Sequence, residues 1–175
     1  VISKLAALID VLTIPQAYDA LEIIYTLIDD KNWRIRHAAI QLLPTLASEM
    51  AVDDFNKRFI TGGAFKLLAQ DNCALIRHDW ILCCKDIGDV YGSEWVKEQI
   101  VPTLDELPNQ KNYQLKSVYL HAMVELGPLA DKCLPHALEM VEDRVPNLRL
   151  MCAQTLGKIA KGAAKGDTWT DALMD

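Results

Sequence analysis

The chain has 175 residues, 51% of them hydrophobic, with only 8 Gly and 7 Pro, so we expect a folded domain rather than a disordered segment. Its net charge of −6 argues against a general nucleic-acid binder or a basic membrane-binding surface, because both depend on clustered Lys and Arg. Five cysteines without metal-ligand spacing are interpreted as reduced, packed thiols of an intracellular protein, and no apolar run is long enough for a transmembrane helix.

The predicted elements are four pairs of helices joined by short polar turns. In chain order, the pairs cover 16–29 and 33–48, 53–69 and 74–91, 93–107 and 113–126, and 129–142 and 146–160. They define repeats of about 14–50, 52–91, 93–127 and 128–162. Residues 1–12 are interpreted as part of a preceding repeat and residues 167–175 as the start of another, so we expect an excerpt of a longer array. Pro44 lies inside a predicted helix and is expected to bend it.

A spaced pair of polar residues recurs at each turn. An acidic or amide residue is followed six positions later by a basic one, and the pairs are Asp30 and Arg36, Asp71 and Arg77, Gln110 and Lys116, and Asp143 and Arg149. Counted from the basic residue, positions −1, +2, +3, +6, +7 and +10 are mostly apolar and share one helical face. One charge, Asp79, interrupts this stripe. Repetition at this spacing predicts an all-α solenoid of the HEAT or armadillo type, with stacked antiparallel helix pairs in a right-handed superhelix, as one domain over residues 1–175.

The spaced charges suggest a structural role. An Asp before a helix suits the positive N-terminal end of that helix, and it can also reach the basic residue of an adjacent repeat. The predicted charge ladder comprises Asp30, Arg36, Asp71, Arg77, Lys116, Asp143 and Arg149. The alternative is that these are ordinary surface charges, each worth at most about 1 kcal/mol.

The turns themselves supply the candidate binding residues. In a stacked array the turns before the second helices form one continuous ridge, and large aromatic residues on such a ridge often anchor a partner protein. The predicted partner-binding residues from this argument are Trp33, with Arg34 beside it, and Tyr113. The alternative is that Trp33 and Tyr113 only pack their turns against their own helices.

Catalytic and metal-binding patterns are not found in the sequence. The four histidines lack the His-Glu step of helical-repeat metalloenzymes, and no Gly-rich phosphate loop or nucleophile motif occurs. Cys83 and Cys84 lie within the apolar stripe, which favours core packing over reactivity. We therefore predict a protein that is not an enzyme and has no cofactor or metal.

Three segments resemble a known family. Residues 29–50, DDKNWRIRHAAIQLLPTLASEM, are similar to a HEAT repeat of the scaffold (A) subunit of protein phosphatase 2A. The likeness continues in order through SEWVKEQIVPTLDELPNQKNY (93–113) and CLPHALEMVEDRVPNLRLMCAQTLGKI (133–159), in the manner of that subunit's C-terminal repeats.

The resemblance implies a non-enzymatic scaffold in the cytoplasm or nucleus. It implies that the turn ridge binds a phosphatase catalytic subunit, and that repeats preceding this chain bind a regulatory B-type subunit. Trp33 and Arg34 would be the leading contacts, with Asn112, Tyr113 and Asn147 further along the ridge. Ala74, Pro146 and Gln110 depart from the family pattern.

Two other functions fit a HEAT array. A tubulin-binding TOG-type array also presents a Trp and basic residues on its turns, although the acidic charge of this chain counts against it. A HEAT-repeat metal hydroxylase is the candidate from the enzyme class.

Overall fold

The computed structural model describes residues 23–126 and 130–163, and within these ranges the regular structure is helical, with no strand. The predicted all-α, helical-repeat class of fold is therefore confirmed. The helix pieces expected over residues 1–12 and 167–175, and the first half of the helix expected over 16–29, lie outside the described residues. The chain divides into two compact units, Val1–Gln99 and Ile100–Asp175, which are described separately.

The first unit contains helices α1 to α7. They are α1 (residues 23–28), α2 (Trp33–Ile40), α3 (Leu43–Glu49), α4 (Val52–Phe55) with a π-helical turn (Asn56–Ile60), α5 (Ala64–Ala69), α6 (Ala74–Tyr91) and α7 (Ser93–Gln99). The second unit contains α8 (Val101–Asp105), α9 (Tyr113–Glu125), α10 (Ala130–Glu139) with a 3₁₀ turn (Met140–Glu142), and α11 (Pro146–Ala163).

Proline accounts for two of the breaks in the predicted helices. The helix predicted over 33–48 stops after Ile40 and resumes at Leu43, with Pro44 in the first turn of the new helix. A proline lacks the N–H that a helix interior needs and clashes with the carbonyl four residues earlier, whereas the first turn accepts it. The sequence predicted a bend at Pro44, and the structure instead has two separate helices there. Pro102 occupies the same place in α8, where the helix predicted over 93–107 is interrupted at Ile100.

The prediction of one continuous helix over 53–69 is wrong. Its middle winds as a π-helix over Asn56–Ile60, and Gly63 then adopts a left-handed backbone with φ of +82° before α5 begins. Glycine adopts this conformation without the strain that a Cβ would cause. Gly62 and Gly63 therefore form a turn between helices, and Gly63 is the N-cap residue of α5.

The apolar stripes of the second helices form the cores. Positions +3 and +6 are buried in every copy, and these residues are Ala39 and Leu42, Trp80 and Cys83, Tyr119 and Ala122, and Cys152 and Thr155. In the first unit α6 packs against α2, α3, α5 and α7, and in the second unit α9 packs against α11. Cys83 and Cys84 are buried, as the stripe predicted, and this burial raises the pKa of both thiols.

Aromatic side chains fill the first unit behind α6. Phe55 contacts Phe59, Phe65 and Tyr91 with ring centroids 4.9 to 5.9 Å apart, and the Trp95 ring lies 5.5 Å from that of Tyr91. The indole N–H of Trp95 donates a 2.7 Å hydrogen bond to Asn56 Oδ1, which satisfies the one polar atom of that side chain.

Gly62 occupies a crowded position, where the Tyr25 hydroxyl donates a 2.8 Å hydrogen bond to its carbonyl. A Cβ at Gly62 would lie 2.4 Å from the backbone oxygen of Arg58, closer than any real contact. Gly157, in α11, has no such neighbour within 4 Å.

Candidate functional site

Each acidic residue of the spaced pairs shapes the turn in which it lies. Its Oδ1 atom accepts the backbone N–H two residues later, an arrangement that fixes the turn before the second helix begins. The donors and distances are Asn32 to Asp30 at 2.7 Å, Cys73 to Asp71 at 2.7 Å, and Val145 to Asp143 at 2.9 Å.

The arginine six positions later closes the same turn. One guanidinium nitrogen, Nη1, donates to the backbone carbonyl of the acidic residue in its own repeat. The bonds are Arg36 to Asp30 at 2.7 Å, Arg77 to Asp71 at 2.6 Å, and Arg149 to Asp143 at 2.9 Å. The six-residue spacing therefore has a local cause that the sequence analysis missed. In the third turn Gln110 instead donates to the carbonyl of Glu106, at 3.3 Å.

The same residues also connect neighbouring repeats within each unit. Arg36 binds the carboxylate of Asp71 through Nε at 2.6 Å and Nη2 at 2.7 Å, and these side chains are only 14% and 8% exposed. In the second unit Lys116 Nζ lies 2.7 Å from Asp143 Oδ2. The hydrogen bond from Lys116 lowers the pKa of the Asp143 carboxyl, and the hydrogen bond to Asp71 raises the pKa of Arg36. These mostly buried pairs differ from ordinary surface charges.

Trp33 and Arg34 lie together at the start of α2. Asn32 caps this helix by accepting the Arg34 N–H at 3.0 Å, so the backbone under both residues is fixed. The Trp33 side chain is exposed, and the Arg34 guanidinium carbon lies 4.7 Å from the centroid of its ring. The His37 ring meets the Trp33 ring edge to face, at 6.4 Å. The result is an exposed aromatic surface with a cation stacked on it.

The remaining predicted contacts lie in the second unit. Asn112 caps α9 by accepting the Gln114 N–H at 3.0 Å, so its side-chain oxygen has a structural role. Tyr113 follows it and is 41% exposed, and Asn147 is exposed in the first turn of α11. All five predicted partner-binding residues are thus at or beside the start of a second helix, where a partner could reach them.

Some surface residues of the second helices were missed by the sequence analysis. Leu75 and Leu150 are exposed apolar side chains near the starts of α6 and α11. Leu150 directly follows Arg149, as His37 follows Arg36, and Leu75 lies two residues before Arg77, as Arg34 lies two residues before Arg36. That shared register is the signal that would have identified them.

A cleft of about 450 Å³ lies beside the first two turns in the first unit. Asp29, Asp30 and Lys31 line one part of it and Gln70 and Asn72 another, and it is also lined by the Arg36–Asp71 pair, Ile28 and Leu67. The first two turns thus form a concave polar surface, and one of its residues, Lys31, lies two positions before Trp33 in the sequence.

In residues 23–126 and 130–163, no group of three or more His, Cys, Asp or Glu residues is arranged to hold a metal ion. No helix in that part of the chain is long and apolar enough to cross a membrane.

Comparisons with known proteins find HEAT repeats in two parts of the chain. The family model described as HEAT repeat matches residues 20–50 and 133–163. Two solved structures, both crystal structures of engineered proteins from the Northeast Structural Genomics Consortium, are similar to the chain. The first is 14% identical to this chain with a TM-score of 0.43, and the match covers 83% of this chain and 65% of that protein. The second is 18% identical with a TM-score of 0.44, and the match covers 83% of this chain and 66% of that protein. The chain thus spans just under two thirds of their length.

No curated protein matches the chain. The two segments that match the HEAT family model lie in the first and fourth predicted repeats. HEAT repeats and stacked helix pairs together support a protein-interaction repeat protein.

Proposed function

We propose that this chain is a non-enzymatic HEAT-repeat scaffold that binds a partner protein through the starts of its second helices, with Trp33 and Arg34 as the main contacts. The observation that carries the proposal is an exposed Trp stacked by an Arg on a capped helix start. Trp and Arg are the residue types most enriched among energetically dominant contacts.

The turn under Trp33 favours this role because it is held in place before any partner arrives. Asp30, Asn32 and Arg36 together make four hydrogen bonds to backbone groups of the turn and the first residues of α2, at 2.7 to 3.4 Å. A preformed contact surface loses little conformational entropy on binding, so more of the contact energy appears as affinity.

The proposed partner is the catalytic subunit of a phosphatase of the protein phosphatase 2A type. This choice rests on the resemblance of residues 29–50, 93–113 and 133–159 to the scaffold subunit. It does not rest on a match to a curated protein. A regulatory B-type subunit would bind through repeats outside this chain, and the complex would act in the cytoplasm or nucleus.

A binding measurement with matched variants tests the proposal. Immobilised wild-type protein is expected to capture purified phosphatase 2A catalytic subunit, and Trp33→Ala or Arg34→Ala should weaken capture by about tenfold or more. Val90→Ala removes a comparably exposed apolar side chain from the far end of α6 and should leave capture unchanged. Equal capture by all four proteins would remove this surface as the site.

Tubulin binding is the second candidate, since the exposed Trp33–Arg34 pair also suits a TOG-type array. Co-sedimentation with microtubules that is lost in Trp33→Ala, without capture of the catalytic subunit, would favour it.

A further inference from the structure

Asp79 is an exception within the apolar stripe of α6. The equivalent positions of the other second helices are occupied by Ala38, Val118 and Met151. Its side chain is 17% exposed, and its Oδ2 atom is fully buried. A carboxylate in such a place is costly unless a specific partner compensates it. The stripe alone gives no reason for an Asp here.

The compensating group comes from the preceding repeat. His37 Nε2 in α2 lies 2.8 Å from Asp79 Oδ2, although the ring N–H is poorly aligned for an ideal hydrogen bond. No other donor reaches Oδ2 among the described residues, so the contact favours a proton on Nε2 of His37. The amide nitrogen of Gln41, 3.3 Å from the same ring atom, cannot donate to a protonated nitrogen.

His37 in turn lies against the proposed binding residue. Its ring contacts Trp33 edge to face at an interplanar angle of 68°, and Arg34 stacks on the same Trp33 ring. Asp79, His37, Trp33 and Arg34 therefore form a connected row from a half-buried carboxylate to the surface.

We propose that Asp79 is a positioning residue that orients His37, and through it Trp33, for partner binding. The inference rests on the proposed function, in which Trp33 and Arg34 contact the partner. It means that the second repeat sets the geometry of the contact surface on the first.

Stability and binding should respond differently to removal of this carboxylate. Asp79→Ala gives α6 an alanine at the position where α2 has Ala38. The apolar stripe of α6 then becomes continuous, so the unfolding temperature should stay the same or rise. Binding should weaken, because His37 and Trp33 lose their fixed orientation. A residue that only supported the fold would lower both.

A double-mutant cycle with the phosphatase 2A catalytic subunit measures the coupling. Asp79→Ala should weaken binding by about fivefold to tenfold in the wild-type background and cause no further loss in Trp33→Ala. Asp79→Asn, which keeps the shape of the side chain, should give a smaller loss. Equal losses in both backgrounds would overturn the inference, because Asp79 would then act independently of Trp33.

A measurement without any partner keeps this test separate from that of the proposed function. The indole N–H signals of a ¹⁵N-labelled protein can be assigned with Trp33→Phe and Trp95→Phe. Asp79→Ala should shift the Trp33 signal and leave that of Trp95, which is held by Asn56, in place. An unmoved Trp33 signal would overturn the positioning role. A shifted signal in a protein that binds no catalytic subunit would support the positioning role and refute the proposed partner.

Discussion

The bidentate pair of Arg36 and Asp71 is predicted to be a major connection between the first two repeats. Asp71→Ala removes both bonds to Arg36, at 2.6 and 2.7 Å, together with the acceptor for the Cys73 N–H. It leaves a mostly buried guanidinium whose remaining contacts are backbone carbonyls at the first turn. We therefore expect a large loss of stability.

The magnitude follows from the burial of the pair. Removing one member of a buried ion pair costs about 3–5 kcal/mol, and the lower end applies here because Arg36 keeps its bond to the Asp30 carbonyl. Asp71→Asn keeps an acceptor for Cys73 but loses the charge, so about half that cost is expected. Replacing both residues, by Arg36→Met with Asp71→Leu, should cost less than Asp71→Ala because no buried charge is left alone.

Urea unfolding followed by circular dichroism measures these differences. A loss of about 3 kcal/mol lowers the unfolding midpoint by about 1–3 M for ordinary denaturant slopes. Lys97→Ala is the matched control within the same unit, because Lys97 makes a more exposed ion pair with Glu94 and should cost less than about 0.5 kcal/mol. If Asp71→Ala costs no more than the control, the pair is an ordinary surface contact and the reasoning fails.

Three further predictions concern other parts of the chain. Gly62→Ala should lower the melting temperature by several degrees because its Cβ meets backbone, whereas Gly157→Ala, in an open helix interior, should raise it slightly; equal effects would contradict the crowding argument. The lowered pKa of Asp143 means that its stabilising contribution is complete above the ordinary carboxyl pKa and is lost as the pH falls through the folded value. The stability difference between wild type and Asp143→Asn should therefore shrink from neutral pH to about pH 3, and a constant difference would refute this. Cys83 and Cys84 should resist alkylation in the native protein and react in urea, which mass spectrometry can follow; rapid native labelling of either would contradict their burial.

Three of the four second helices could be predicted closely from sequence because their mostly apolar positions recur at the same offsets, even though Asp79 interrupts one of the stripes. The helix predicted over 74–91 has the bounds of α6, and the one predicted over 113–126 differs from α9 by one residue. The first helices could not be predicted as well. The break at Gly63 comes from its left-handed backbone, and the break at Ile100 comes from Pro102 in the first turn of the next helix. Helical periodicity indicates neither break.

The candidate site was only partly visible in the sequence for a related reason. The exposure of Trp33 and Tyr113 could be predicted because each follows a polar turn and begins a second helix. The contact between Asp79 and His37 joins side chains 42 positions apart, and no local pattern encodes it. The interruption of the stripe by Asp79 was the only hint, and it did not identify the other residue.

Arg36 contacts the backbone of one turn and the carboxylate of the next, which has a consequence for how the first unit opens. Any fluctuation that frees the Asp71 turn also releases the side chain that holds the carbonyl of Asp30. The two turns are therefore expected to open as one cooperative event. The amide hydrogens of Asn32 and Cys73, each held by an aspartate of its own turn, should then exchange with solvent at similar rates.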